Sequence, residues 1–448
     1  MSLNRMDEHQ SKALRSIDRS SSDLIQAAKN VYSIPETGFN EYKTSNYVLQ
    51  RLQALGLSVE SGIVRTGLKA VLRGDKNGPT VAVLAELDAL RVPKHPGADP
   101  QSGAAHACGH HSQIGALLGV ATALSELRIK NFLSGNVAFI LTPAEEFIDI
   151  QNRLSLRAEG ELEFLSGKQE MIRLGIFDDV DMAMLVHTAA GNGNSALSIG
   201  GTSTAHVSHQ VRFIGKSAHA GGAPDRGINA LQAAILANVA INAQRETFQE
   251  SEVVRVHGII TRGGDSVNAV PDDVLYEGRV RAGSLESIQS VADKVIRCYR
   301  AGALAIGAAV EVQTIAGYHS LKQNPIMKQL FIEKAKLILG KDSITDVSDE
   351  EIHGGSTDMG DLSAIMPVIH PYANAASGYG HGDDYMIDDY NLAVITSAKV
   401  MAATIIELLS NGAQTANRVI DTFTQTFTTS QYVTVQRERF SNTLYTLK

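Results

Sequence analysis

The chain has 448 residues, with 40 lysines and arginines against 48 aspartates and glutamates, a formal charge of −8, and 44% apolar residues. That apolar share excludes a largely disordered chain. A mildly acidic sequence without a long basic run lacks the clustered cations that neutralise nucleic-acid phosphates. At about 150 residues per domain, the length sets a prior of two or three domains. The two distant cysteines, Cys108 and Cys298, cannot build a disulfide framework, which favours a reducing compartment. The start MSLNRMDEHQ has no apolar core behind a basic segment, and no uninterrupted apolar run reaches about 18 residues. The expectation is a cytoplasmic globular protein.

In chain order, Ser22 is read as the N-cap of a helix burying Leu24, Ala27, Ala28 and Val31. Val71-Leu72 reads as a strand, followed by a turn at Asn77-Gly78-Pro79. Val81–Leu84, Val137–Leu141 and Met184–Val186 are short apolar runs of a buried sheet, and Ile114–Leu124 is a helix against it. This alternation indicates an α/β layer architecture, with chemistry gathered beyond the carboxyl ends of the strands. Asp88, Glu145, Glu146 and His187 fall at such ends. Between Ala205 and Val312 the pattern changes: strand Ala205–Ile214, helix Ile228–Ile241, strands Val253–Ile260 and Val274–Ala282, a helix from Ser284 through Ile306, and strand Val310–Val312. That β-α-β-β-α-β order matches the split ferredoxin-like motif. The first pattern then returns with a helix at Pro325–Leu339, a strand near Met366–Ile369 and a long helix at Leu392–Leu409. The boundaries that follow are 1–202 and 316–411 for a split α/β domain, 203–315 for an inserted domain, and 412–448 for a Thr-rich tail.

The densest chemical signal is His106-Ala107-Cys108-Gly109-His110-His111. Thiolate and imidazole are the main ligands of zinc and its neighbours, and Gly109 relaxes the backbone between Cys108 and His110. Taken alone, a C-x-H is more often a buried thiol with hydrogen-bonded histidines. Pro143-Ala144-Glu145-Glu146 follows an apolar strand; one carboxylate there can bind a metal while the other acts as general base. By itself Glu-Glu is usually a solvated helix start. Asp88, in Glu86-Leu87-Asp88, can orient a ligating imidazole or merely cap a helix. His187 and His381 complete the set. Several separate segments each deliver a metal-competent side chain, and that recurrence points to a metal site.

At these residues the chain resembles the M20 metallopeptidases and amidohydrolases, in the aminoacylase, hippurate-hydrolase and aminobenzoyl-glutamate-hydrolase branch. The similarity runs from about residue 20 to 410. It includes Pro35-Glu36-Thr37-Gly38-Phe39-Asn40-Glu41, the two boxes above, and Gly215-Lys216-Ser217-Ala218-His219-Ala220-Gly221-Gly222-Ala223-Pro224. It continues with Asn268-Ala269-Val270-Pro271, Gly355-Ser356-Thr357-Asp358-Met359-Gly360-Asp361 and the segment around His381. The resemblance implies a zinc-peptidase-like, three-layer α/β catalytic domain of the phosphorylase/hydrolase kind, with an inserted ferredoxin-like α+β lid used for dimerisation.

It further implies two divalent ions per subunit, zinc first and manganese second, with Cys108 shared and His110, Glu146, His187 and His381 as the other ligands. Glu145 would be the general base, Asp88 an orienting group, His219 an oxyanion donor reaching a partner subunit, and Asn268 a substrate contact. Glu86 stands where some relatives carry a histidine ligand. His111 departs from the usual box and is read as a hydrogen-bonding neighbour. The stretch around Asp149–Lys168 is longer than the family norm. The implied reaction is hydrolysis of an N-acyl or N-aroyl amino acid by a homodimeric enzyme, without nucleic-acid or membrane partners. The alternatives are a dipeptidase or aminopeptidase of the same family, or a non-catalytic binding protein on this fold. A nucleotide-binding oxidoreductase is disfavoured because no G-x-G-x-x-G follows the early strands.

Overall fold

A computed structural model describes residues 7–127, 132–191 and 195–446; residues 1–6, at the start read above for a targeting signal, lie outside them. The chain divides into two compact units, one of Met1–Gly201, Lys322–Asp349 and Leu362–Thr429, the other of Thr202–Leu321, Glu350–Asp361 and Ser430–Lys448.

The first unit is organised by strand Lys76–Glu86, whose last eight residues are all buried. Burial on both faces is why this segment is continuously apolar instead of alternating. Ser134–Thr142 and Met182–Met184 flank it in parallel, and Val368–Ile369 extends the sheet, also in parallel. Gly67–Arg73 and Val59–Ile63 add antiparallel strands at the other edge. Helix His110–Glu126 packs against this sheet and against helices Ser21–Tyr32 and Ser397–Leu409. Its Gly119 allows the closest approach, since a Cβ there would lie 2.8 Å from that of Ala398. The stretch Asn391–Leu409 is long and apolar enough to cross a bilayer, but 78% of its window is buried inside the protein, as a core helix is. A second sheet carries His187–Ala190, Tyr372–Ser377, Met386–Ile387, Leu197–Ser203 and Ile344–His353.

Several local expectations shift. The early helix is Ser21–Tyr32 with Ser20 at its N-cap instead of Ser22, because a preceding helix, Glu8–Arg19, ends at Ser20. Asn77-Gly78-Pro79 lies inside the strand, where the pairing slips between Lys76↔Ser134 and Thr80↔Asn136. Such an irregularity tolerates a proline that has no N–H to give the ladder. The run expected to end at His187 breaks at Met184. His187 instead opens a strand of the second sheet, its N–H donating to Pro371 O over 2.9 Å.

The second unit shows the β-α-β-β-α-β order: Ala205–Ile214, Ala230–Gln244, Arg255–Arg262, Asp273–Ala282, Leu285–Ile306 and Ala309–Ala316. Ser284 caps the second helix by accepting from Ser287 N. The tail does not form a separate segment. Helix Gln414–Thr422 falls in the first unit, while Thr429–Glu438 leads into the second and Ser441–Tyr445 adds a fifth antiparallel strand beside Ala309–Ala316. Tyr432 is wholly buried and its hydroxyl donates to Asp361 over 2.8 Å. Gln436 donates to Gly317 O, and Arg439 to both Gly317 O and His206 O. Truncating a buried aromatic typically costs about 3–5 kcal/mol. Tyr432→Ala is expected to destabilise by that order in urea unfolding; an unchanged midpoint would mean that the tail only decorates the surface.

Candidate metal centre

Three loops at carboxyl ends of the parallel strands build the site. The first follows Lys76–Glu86 and carries Asp88; the second follows Ser134–Thr142 and carries Glu145 and Glu146; the third leads from Met182–Met184 to His187. The helix beginning at His110 supplies the Cys108 box. Gly109 precedes that helix at φ 88°, and a Cβ on it would stand 2.2 Å from Thr188 Oγ1. Both the left-handed conformation and the lack of room therefore require glycine.

His110 Nδ1 donates to the Asp88 carbonyl over 2.8 Å and lies 3.3 Å from Asp88 Oδ1. This holds Nε2 toward the cluster. The other Asp88 oxygen, Oδ2, accepts from Glu146 N over 2.9 Å. His187 Nδ1 donates to Thr188 O over 2.7 Å, and its Nε2 lies 3.4 Å from Cys108 Sγ. His381, in a left-handed conformation at φ 67°, donates its N–H to Ala107 O, and its Nε2 stands 3.2 Å from Glu146 Oε1. Three sets of donor atoms each lie within 4.8 Å of one another: Cys108, His110 and His187; Cys108, Glu146 and His381; and Glu86, His110 and Glu145. Cys108 belongs to the first two.

The donors suit a divalent cation. Burial and Glu146 raise the Cys108 thiol, but His187 and His110 outweigh them and bring it down to about 6, giving the thiolate that binds metals. Burial also raises the Glu146 carboxyl, yet His381 holds it at about 2. Glu146 Oε1 and His110 Nε2 are buried and make no well-aligned hydrogen bond, facing His381 Nε2 and Glu86 Oε2 at 3.2 Å, which suits both atoms to a metal.

Other positions read from the sequence lie elsewhere. His111 Nε2 is 3.1 Å from the Tyr390 hydroxyl and belongs to none of the three sets. His219 and Asn268 are exposed in the second unit; His219 Nδ1 accepts from Gly221 N and Gly222 N, and His219 bridges Ala269.

The sequence reading missed four supports. Glu41 Oε1 accepts from Ala144 N, and its other oxygen accepts from the Thr66 hydroxyl, which fixes the turn where Ala144 sits at φ 50° just before Glu145. Burial, then the Asp88 carboxylate, push the Glu41 carboxyl up to about 8. Buried Arg153 donates to Glu146 O and Leu165 O, and buried Lys168 donates to Glu86 over 2.6 Å. His370 is buried with its ring 5.7 Å from that of His187. Glu41 lay in a quoted motif and Lys168 at the end of the unusual stretch, but their partners are far away in sequence.

A strand-end cluster of thiolate, imidazole and carboxylate on an α/β sheet defines a metallohydrolase. The family model described as Peptidase family M20/M25/M40 matches residues 82–407. The chain is 27% identical over 420 residues to the Xaa-Arg dipeptidase of Mus musculus, covering 89% of this chain and 88% of that one. It is 29% identical over 314 residues to an N-acyl-L-amino acid amidohydrolase of Geobacillus stearothermophilus, covering 68% and 79%. Its fold matches that of a Bacillus subtilis peptidase described as dinuclear metal-binding, with a TM-score of 0.62 and 22% identity over 87% of this chain and 99% of the other. The chain belongs to the M20 peptidase family, and it is a hydrolase of amide bonds.

Gly109→Ala is expected to displace Cys108 relative to His110 and to lower the divalent-metal uptake of purified protein, measured by elemental analysis after reconstitution. Full metal content in a folded Gly109→Ala variant would contradict the steric argument.

Proposed function

We propose that the protein hydrolyses the amide of an N-acyl or N-aroyl amino acid, with Glu145 as general base and two divalent ions per chain. The observation that carries this reading is the pair of donor sets that share Cys108, with the Glu145 carboxylate among the buried groups beside them. Cys108, His110 and His187 would hold one ion, and Cys108, Glu146 and His381 the other. Ions so held lower the pKa of a water and polarise a scissile carbonyl. A thiolate favours zinc, while a carboxylate also accepts manganese. The Bacillus subtilis relative's description as dinuclear accords with this count.

Glu145 takes the proton of the attacking water and passes it to the leaving nitrogen. Its neighbour Glu146 is anchored by Asp88 through the backbone N–H, so the two adjacent carboxylates divide the work of base and ligand. His219 donates a hydrogen bond to the developing oxyanion from a second copy of the chain, and Asn268 contacts the substrate. A dipeptidase is the second reading, favoured by the mouse Xaa-Arg dipeptidase whose match covers most of both chains. It requires recognition of a free α-amino end.

The test is a panel of N-acetyl, N-benzoyl and aminobenzoyl-glutamate substrates against dipeptides, with added zinc or manganese. Preference for the blocked substrates supports the proposal; exclusive cleavage of dipeptides transfers it to the second reading. On the preferred substrate, Glu145→Gln is expected to lower kcat by about 10²–10⁴-fold with metal content retained; full activity would remove Glu145 as base. Mixing inactive Glu145→Gln and His219→Ala chains is expected to restore activity, because a mixed dimer contains one intact site. Failure of mixed dimers to regain activity would place His219 in its own chain's site or outside catalysis.

A further inference from the structure

The third donor set differs from the other two. Glu86, His110 and Glu145 meet within 4.8 Å, as an ion's ligands would. Yet a cation that belongs to the chain already sits against this set: Lys168 Nζ is 2.6 Å from Glu86 Oε1, and both side chains are essentially without solvent exposure. The other oxygen, Glu86 Oε2, accepts from Gln113 Nε2 over 2.9 Å and lies 3.2 Å from His110 Nε2.

Lys168 reaches this place because of the long stretch that follows Glu146. Arg153 clamps that stretch by donating to both Glu146 O and Leu165 O, which sets the start of helix Gly167–Arg173 and with it Lys168. A buried ammonium or carboxylate alone is costly, and pairing is what makes either tolerable. Burial works to raise the Glu86 carboxyl; the Lys168 ammonium, with His110 and His187, overrides it and keeps Glu86 ionised.

We propose that Lys168 is a positioning residue: its ammonium is a tethered cation on Glu86 that keeps this carboxylate out of the ions' donor set and fixed beside His110. The proposal rests on the metal-centre reading above. Glu86 then acts on the ligand set through His110, and the ion held by Cys108, His110 and His187 gains no extra carboxylate. The long stretch after Glu146 is accordingly part of the active site's framework, delivering one buried charge to it.

The test uses Co²⁺-loaded full-length protein, whose visible absorption reports the donors around the ion. Lys168→Met frees Glu86 to enter coordination, so the visible band is expected to shift. On the preferred substrate kcat is expected to fall roughly 10–100-fold, the usual effect of losing a partner behind a ligand, with KM little changed. Glu86→Gln/Lys168→Met removes both charges and is expected to return the band to its wild-type position. If Lys168→Met does not fold, the double variant carries the test alone: a wild-type-like band supports the proposal and a shifted band overturns it. An unchanged band and kcat in folded Lys168→Met overturn it too. A wild-type protein that takes up no Co²⁺ overturns the metal-centre reading, and this proposal with it.

Discussion

Asp88 is the residue on which the arrangement of the site depends. Its backbone carbonyl fixes Nδ1 of His110, and its carboxylate holds the backbone N–H of Glu146. One residue at the end of one buried strand thereby registers two other segments, the Cys108 box and the Glu145-Glu146 turn. Hydrogen bonds to a charged acceptor contribute about 1.5–3 kcal/mol each, and a buried carboxylate left without them loses more. The constraint also selects the ring nitrogen His110 presents, since an Nδ1 that donates to Asp88 leaves Nε2 to face Cys108 and Glu86.

From this register the electrostatics follow. A thiolate, four carboxylates and three imidazoles are gathered here, with the carboxylates and His110 buried, Cys108 and His187 half-buried and His381 exposed. Cys108 is drawn down to about 6 by His187 and His110 against burial and Glu146. Such a cluster is costly unless its charges are balanced. Lys168 balances Glu86, and divalent cations would balance the proposed sets that share Cys108. Two of the non-glycine residues with positive φ, Ala144 and His381, stand at this place, one beside a donor-bearing residue and the other a donor itself. Tertiary hydrogen bonds hold them there, from Ala144 N to Glu41 Oε1 and from His381 N to Ala107 O.

Much of this was legible in the sequence because it is encoded by short-range patterns. Uninterrupted apolar runs marked the buried parallel strands, and the Cys108-Gly109-His110 spacing marked two side chains that converge. The alternation over Ala205–Ile214 and the Ser284 cap marked the second unit's elements to within a few residues. What escaped depends on contacts between distant positions. Nothing local announces that Lys168 pairs with Glu86 across 82 positions, or that Glu41 supports Ala144. The tail looked weakly periodic because its helices each bury only a narrow set of side chains, such as Tyr432, Val433 and Gln436. The break at Met184 was likewise hidden, because an apolar run gives no sign that its strand changes sheet before His187.

The proposed mechanism turns on a Cys108 thiolate common to two metal positions. Metal stoichiometry can be read by elemental analysis of zinc-reconstituted and dialysed protein. Two equivalents are expected per wild-type chain, about one in His381→Ala, and loss of both in Cys108→Ala. A Cys108→Ala chain that retains both ions, or a wild-type chain that binds only one, would contradict it.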